Sequence, residues 1–267
     1  MSIAYLLVLA IVFAASLLGP LCGIGGGVII KPVVDALGVM DVATVSFLSS
    51  ASVLTMALAT LAQNAVARTS SVQMRSLVPV ALGSALGGVA GKAVFGALAG
   101  VFGAADTVGA VQALVLIVLS CIVLAYTLNR DRVASMRLDG WIAQALIGAV
   151  AGALWSFLGI GGGPFNLAIL AFFFAMDSKP AAQASLFIIA CSQVAGMVYS
   201  VCTGSVPAFD PLVLVGMCAM AVAGSVVGRR LAARMDTAAV DRLYVAALVL
   251  IIGVSLYNAV RFGLLAA

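Results

Sequence analysis

The sequence predicts an all-α polytopic membrane protein made of two inverted-topology repeats, each holding a short helix interrupted by glycines. Three observations carry that prediction. The chain of 267 residues is 64% hydrophobic and only 8% charged, with a mean hydropathy of +1.27. A soluble domain carries about 25% charged residues, so this chain cannot coat a water-soluble globule. Apolar runs of membrane-crossing length also recur, for which about 20 residues suffice: Ile3–Leu18, Ala110–Leu128 and Tyr244–Tyr257 hold no charge. Finally, one five-letter motif, GIGGG, occurs at residues 23–27 and again at 159–163, each time inside an apolar run.

Taken in order, the first half offers apolar segments at about 3–20, 22–38, 42–66, 76–99 and 107–128. The first has no basic leader and no small-residue cleavage site, so it reads as a retained helix. The second opens on GIGGG and is short. The turn at Met40–Asp41 separates it from the third. The fourth carries Gly87 and Gly91, spaced for close helix contact. One long polar break, Asn129–Gly140, then divides the chain. The second half repeats the order at about 140–158, 163–176, 180–202, 211–232 and 238–262. The expected units are therefore 1–128, a cytoplasmic linker at 129–139, and 140–267. Shorter echoes agree with a duplication: ATVSF at 43–47 with AQASL at 182–186, GGVAGK at 87–92 with GSVVGR at 224–229, and ADTVGAV at 105–111 with MDTAAVD at 235–241. Residues 163–176 would rise only about 21 Å as a helix, short of a roughly 30 Å hydrocarbon core. Two layouts follow, with eight to ten membrane segments: the short segment crosses fully, or it re-enters with the glycine loop at its tip.

Basic residues mark cytoplasmic loops. Arg68 and Arg75 lie between the third and fourth segments, and their counterpart, Thr203–Asp210, has none. The loop at Gly100–Asp106 has none, whereas its counterpart carries Arg229, Arg230, Arg234 and Arg242. The turn at Met40–Asp41 has none, and its counterpart carries Lys179. The basic side switches at all three pairs, the signature of inverted repeats. It puts the mid-chain loop in the cytoplasm and the N-terminus outside, with one half expected to rock against the other during transport.

Three successive glycines destabilise a helix by roughly 1 kcal/mol each relative to alanine. Followed by helix, they leave a bare N-terminus whose amides and dipole attract anions. Gly25, Gly26 and Gly27 in the first half and Gly161, Gly162 and Gly163 in the second are the expected anion contacts. Pro164 fits the first helical position, with the Phe165 amide also expected to face the break. Lys31, one turn past the first loop, is a candidate anion-binding cation. Ser46 and Ser185 hold matching places in the third segments, and Asn166, one turn past the second loop, could reach a ligand there; Gln193, further along its helix, would be costly facing lipid and is expected to face protein or a cavity, as a candidate ligand contact. Ser49, Ser50 and Ser192 lie further along. The carboxylates nearest these helices, Asp35, Asp41 and Asp177, are expected at solvated loop ends, which leaves coupling open.

The two GIGGG loops, each with a proline nearby (Pro32, Pro164) and each followed by a turn and then A-x-x-S-[FL] at 43–47 and 182–186, resemble the TauE/SafE sulfite exporter family of permeases. The resemblance spans both halves. It implies transport of small sulfur-containing anions or organic acids, such as sulfite or sulfoacetate, across the inner membrane. Met40–Asp41, where family members often carry proline, and Ala168 depart from the family pattern. For an anion leaving a cell that is negative inside, the potential alone supplies about 2.3 kcal/mol per charge per 100 mV.

Other classes find little support. There is no histidine, and the five cysteines (22, 121, 191, 202, 218) form no metal-ligand spacing. No catalytic residue, metal or cofactor is expected, and the chain is not read as an enzyme. The net charge of +4 reflects loop arginines and says little of nucleic acid, which is not an expected partner. The partners are a small anion and the lipid bilayer, with homo-oligomerisation left open. An anion channel built on the same loops is the alternative to a transporter.

Overall fold

The computed structural model describes residues 3–67, 77–102 and 105–266. Among these are ten α-helices, one short 3-10 turn at Arg130–Arg132, and no strand. The helices are α1 Ile3–Cys22, α2 Gly27–Leu37, α3 Val42–Val66, α4 Val78–Phe102, α5 Ala105–Leu128, α6 Trp141–Leu158, α7 Gly163–Phe174, α8 Ser178–Cys202, α9 Pro211–Ala232 and α10 Thr237–Ala266. Every helix except α2 and α7 is long and apolar enough to cross a membrane. The protein is thus a multi-pass membrane protein, apolar all round its helices because lipid or protein faces every side. Helix α2 has 11 residues and α7 has 12, rises of only about 16 and 18 Å.

Local signals set the ends. Asp41 caps α3 by accepting from the Thr44 amide, and Asp210 caps α9 by accepting from the Leu212 amide ahead of Pro211. Gly38 and Gly159 stop α2 and α6 in the left-handed conformation, which glycine adopts without steric penalty. Several boundaries differ from the sequence reading by a few residues, with α4 running to Phe102 and α10 to Ala266. Helix α2 begins only at Gly27, because the glycine stretch before it stays outside the helix, and α7 ends at Phe174, because Ala175 turns left-handed (φ 51°). The arginines expected at 68 and 75 lie outside the described residues.

The packing pairs are exchanged between the halves. Helix α1 packs on α9, and α6 packs on α4. Helix α3 meets α8 and α9, while α8 meets α3 and α4. Helices α5 and α10 pair lengthwise, with α2 against α10 and α7 against α5. Glycines make two of these contacts close. A Cβ on Gly87 or Gly91 would strike the Ala149 or Ala153 carbonyl of α6, and one on Gly224 or Gly228 would strike the Phe13 or Leu17 carbonyl of α1. These four glycines serve helix contact, as their spacing indicates.

The short helices start side by side and diverge. The carbonyls of Phe172 and Phe173, at the end of α7, accept from the amides of Met136 and Leu138 in the mid-chain linker. At the end of α2 the Asp35 and Ala36 carbonyls accept from the Arg261 guanidinium, near the far end of α10. Both sets of terminal carbonyls, which a helix cannot satisfy itself, are thereby paired.

Candidate functional site

The two glycine loops meet in the buried interior. A Cβ on Gly27 would lie 2.5 Å from the Ile160 carbonyl oxygen, and one on Gly163 would lie 2.9 Å from the Gly25 nitrogen. Only the absence of side chains lets these backbones touch. Among the described residues, the amides of Gly25 to Gly27 and Gly161 to Gly163 donate no loop or turn backbone hydrogen bond. The Phe165 amide, expected to face the break, instead donates to the Gly162 carbonyl at 2.9 Å, because α7 opens with a tight turn. Helix α10 fixes that start: the Tyr244 hydroxyl donates to the Pro164 carbonyl at 2.7 Å.

The predicted serines reach across. Ser185 of α8 donates to the Gly23 carbonyl in the first loop at 3.3 Å. Ser46 of α3 lies against Gly159 in the second loop, its Oγ 3.0 Å from where a Cβ would stand. Each half thus places its serine on the other half's loop. Gln193 of α8 is fully buried, and its Nε2 lies 3.3 Å from a Cβ built on Gly161. Both Gln193 amide atoms, and the hydroxyls of Ser46, Ser49 and Ser50, are buried without a hydrogen-bond partner. Buried polar groups are normally paired; of these, Ser46 and Gln193 lie directly against the second loop. Ser192 instead pairs with Ser156, with 3.4 Å between hydroxyls.

The structure shows two supports that the sequence did not single out. The Trp155 indole donates to the Asn166 Oδ1 at 2.7 Å and stacks on Phe165. Asn166 therefore has its oxygen occupied and only its Nδ2 unpaired. A side chain on Gly162 would run into the same indole, and one on Gly26 would meet the Ala15 carbonyl of α1. These two glycines are packing positions as well as loop positions. Val53 and Ile189 fill the space beside Gly25 and Gly161. Only residues that meet across helices could have revealed these roles, and no spacing rule encodes them.

Lys31 does not face the loops as a free cation. Its Nζ donates to the Asp35 Oδ2 at 2.6 Å, one turn on along α2, and both residues are buried. This corrects the expectation that Asp35 is solvated; Asp41 and Asp177 are exposed as expected.

A cavity of about 600 Å³ opens beside the loops. Arg130, Lys179, Arg229 and Arg230 line it together with the acidic Asp241. Its inner wall reaches Leu21 and Cys22, just before the first loop, and Leu167, just after the second. The Arg229 Nε donates to the Asn64 Oδ1 at 3.1 Å. A cationic funnel of this kind raises the local concentration of anions.

A helical bundle of membrane-crossing length, broken at its centre by two loops of bare helix N-termini under a basic vestibule, defines a polytopic membrane protein of transporter type. The family model described as sulfite exporter TauE/SafE matches residues 7–256, and the chain belongs to that family. A search of curated proteins and a search of solved structures each found no match.

Proposed function

We propose that this protein is a secondary transporter that moves small sulfur-containing anions, such as sulfite, sulfoacetate or related sulfonates, across the inner membrane. The anion binds where the two glycine loops meet, held by the amides of Gly25 to Gly27 and Gly161 to Gly163 with Ser46, Ser185, Gln193 and the Asn166 Nδ2. The two halves are inverted repeats, the linker at 129–139 is cytoplasmic, and the basic vestibule receives the anion from that side. One observation carries the reading: loop amides that donate no loop or turn backbone hydrogen bond lie in the buried interior beside Ser46 and Gln193, whose polar side-chain atoms have no partner. Helix N-termini with free amides are ready-made anion sites. Packed loops and the vestibule's end at Leu21, Cys22 and Leu167 favour a carrier, in which the loops must move for each anion.

The test is sulfite flux into liposomes holding the purified protein. Saturable flux at carrier turnover, limited by conformational steps of μs–ms or slower, is expected. Flux far above that rate would make the protein a channel, and no flux for sulfite, sulfoacetate or sulfate would defeat the transport reading. Gly161→Ala should remove sulfite binding from a variant that still folds.

A further inference from the structure

The basic vestibule has a counterpart in the other half of the chain. Gly224 and Gly228 bring α9 onto the Phe13 and Leu17 carbonyls of α1, and Gly87 and Gly91 bring α4 onto the Ala149 and Ala153 carbonyls of α6. Counted back from the two GIGGG motifs, Ala149 and Ala153 hold in α6 the places that Phe13 and Leu17 hold in α1. The two contacts correspond residue for residue. A cation directly follows the second glycine of each pair: Arg229 in α9 and Lys92 in α4. Both are partly buried. Arg229 lines the vestibule and donates to Asn64 of α3. Lys92 lies on α8, its Cγ 3.4 Å from where a Cβ on Gly196 would stand. Among the described residues, no hydrogen bond or ion pair engages Lys92.

The cavities correspond as well. A small one of about 10 Å³ is lined by Lys31 and Asp35 of α2, Gln112 of α5, Leu158 of α6, and Ser255 and Asn258 of α10. By chain order, each of these helices matches one that lines the vestibule: α2 matches α7, α6 matches α1, and α5 and α10 match each other. Leu158 directly precedes the second GIGGG, as Cys22 of the vestibule wall directly precedes the first. Helices α5 and α10 pair lengthwise, with Gly109 against Phe262. The vestibule takes the end of α5 and the start of α10, at Tyr126, Thr127 and Tyr244. The small cavity takes the start of α5 and the end of α10. The two cavities thus lie at opposite ends of this pair, each reaching a glycine-loop region from its own side. One is wide and the other is shut. Four polar atoms in the shut one have no partner: Asp35 Oδ1, Gln112 Oε1, Asn258 Oδ1 and the Ser255 hydroxyl. Buried polar atoms normally find a partner, and water entering an opened cavity would supply one to each.

We propose that the small cavity is the vestibule of the opposite membrane face in its closed state, and that Lys92 is the cation that receives a small sulfite or sulfonate anion there, as Arg229 does in the open one. The proposal rests on the transport reading above and adds the second entrance with its binding residue. The other cations on that side are engaged. Lys31 is tied to Asp35 at 2.6 Å, and the Arg261 guanidinium is held by the Asp35 and Ala36 carbonyls. Lys92 has no carboxylate partner, and its ammonium is near enough to that of Lys31 for the two to repel. An anion arriving between them relieves that repulsion as well as gaining contacts. Polar side chains lead inward from Lys92. A Cβ on Gly88, one turn before it, would meet the Ser156 and Ser192 hydroxyls, and Ser192 adjoins Gln193, whose amide lies against Gly161.

The test measures sulfite uptake from each face in turn, in right-side-out and inside-out vesicles of cells that make the protein. Lys92→Gln should raise the half-saturating sulfite concentration about tenfold or more in right-side-out vesicles and less than about twofold in inside-out ones. Arg229→Gln should do the reverse, and Lys92→Arg should recover most of the wild-type value. A Lys92→Gln effect equal at both faces, or absent from both, overturns the proposal and leaves the transport reading standing. Wild-type vesicles that take up no sulfite from either face defeat both. If Lys92→Gln does not fold, Ser255→Cys decides, in a chain whose five native cysteines are replaced by alanine. The membrane-impermeant anion 2-sulfonatoethyl methanethiosulfonate should label that cysteine from the outer face only. Labelling from the cytoplasmic face, or from neither, overturns the second entrance.

Discussion

The two glycine loops have the same letters and different backbones. In the first, only Gly23 has a positive φ, and Gly26 enters α2 at φ −43° in the right-handed region. In the second, Gly159, Gly161, Gly162 and Gly163 all have positive φ, and Gly162 sits at 93°. Glycine visits both regions at little cost, so neighbours choose between them. Gly26 lies against the backbone of α1, whereas Gly162 lies against the Trp155 ring. The helices that follow differ as well. Where α2 carries Lys31 and Asp35, α7 carries Leu167 and Ala171 at the same distances from the loop. One loop thus opens a helix with an internal ion pair, and the other opens an apolar helix tethered by Trp155 and Tyr244. A GIGGG motif alone specifies a flexible break, and its surroundings specify what the break does.

That contrast can be broken most severely at the ion pair. Lys31→Ala leaves the Asp35 carboxylate buried and unpaired and should lower stability by about 3–5 kcal/mol. Lys31→Met combined with Asp35→Asn should recover most of that loss, as read by thermal unfolding in detergent. Leu167→Ala in α7 should show no such charge-dependent rescue. Next in size is the glycine pair itself. Gly162→Ala adds a left-handed penalty of about 1–2 kcal/mol to a clash with Trp155 worth about 1–3 kcal/mol. Gly26→Ala, at negative φ with its Cβ 3.1 Å from the Ala15 oxygen, should cost under about 1 kcal/mol. Equal losses would mean that the two loops are not conformationally distinct.

Trp155→Phe keeps the stack on Phe165 but leaves Asn166 Oδ1 without its donor, for an expected loss of about 1–3 kcal/mol. The smallest effect separates the two caps. Asp41 accepts from Thr44, but Asp177 makes no side-chain cap bond. Asp41→Ala should destabilise by about 1 kcal/mol, and Asp177→Ala should be close to neutral. Partial burial pushes the Asp41 carboxyl up, but bonds from the Thr44 hydroxyl and the amides of Thr44, Ala43 and Asp41 outweigh it and hold the group below its ordinary value. The stability that Asp41 adds is therefore present above the ordinary carboxylate pKa. It is lost as pH falls through the lower folded value, so the gap between wild type and Asp41→Ala should close in acid.

Most of the architecture was legible. Apolar length placed the long helices to within a few residues, and the glycine spacing of α4 and α9 foretold their contacts. The loops were found because a repeated motif in a lipid environment needs a cause. The surroundings were not legible, because these helices are apolar on every face and no periodicity says which side meets protein. Asp35, seven residues after Val28 and three before Gly38, reads on paper as a loop-end carboxylate; its burial follows from Lys31, Arg261 and α10 packing over it. Gln112, Ser255 and Asn258 lay unremarked in long apolar runs, since only the fold brings α5 and α10 together beside α2.

The close contacts of α1 with α9 and of α4 with α6 also bear on how the molecule can move. Each joins a helix of the first half to a helix of the second, backbone to backbone, with no side chain between to act as a lubricant. A cut at residues 129–139 divides the chain but not the solid. The rocking of one half against the other expected from the repeat would have to shear both seams at once. The tightest pairings are mixed: α4 with α6 and α1 with α9, each joining one half of the chain to the other.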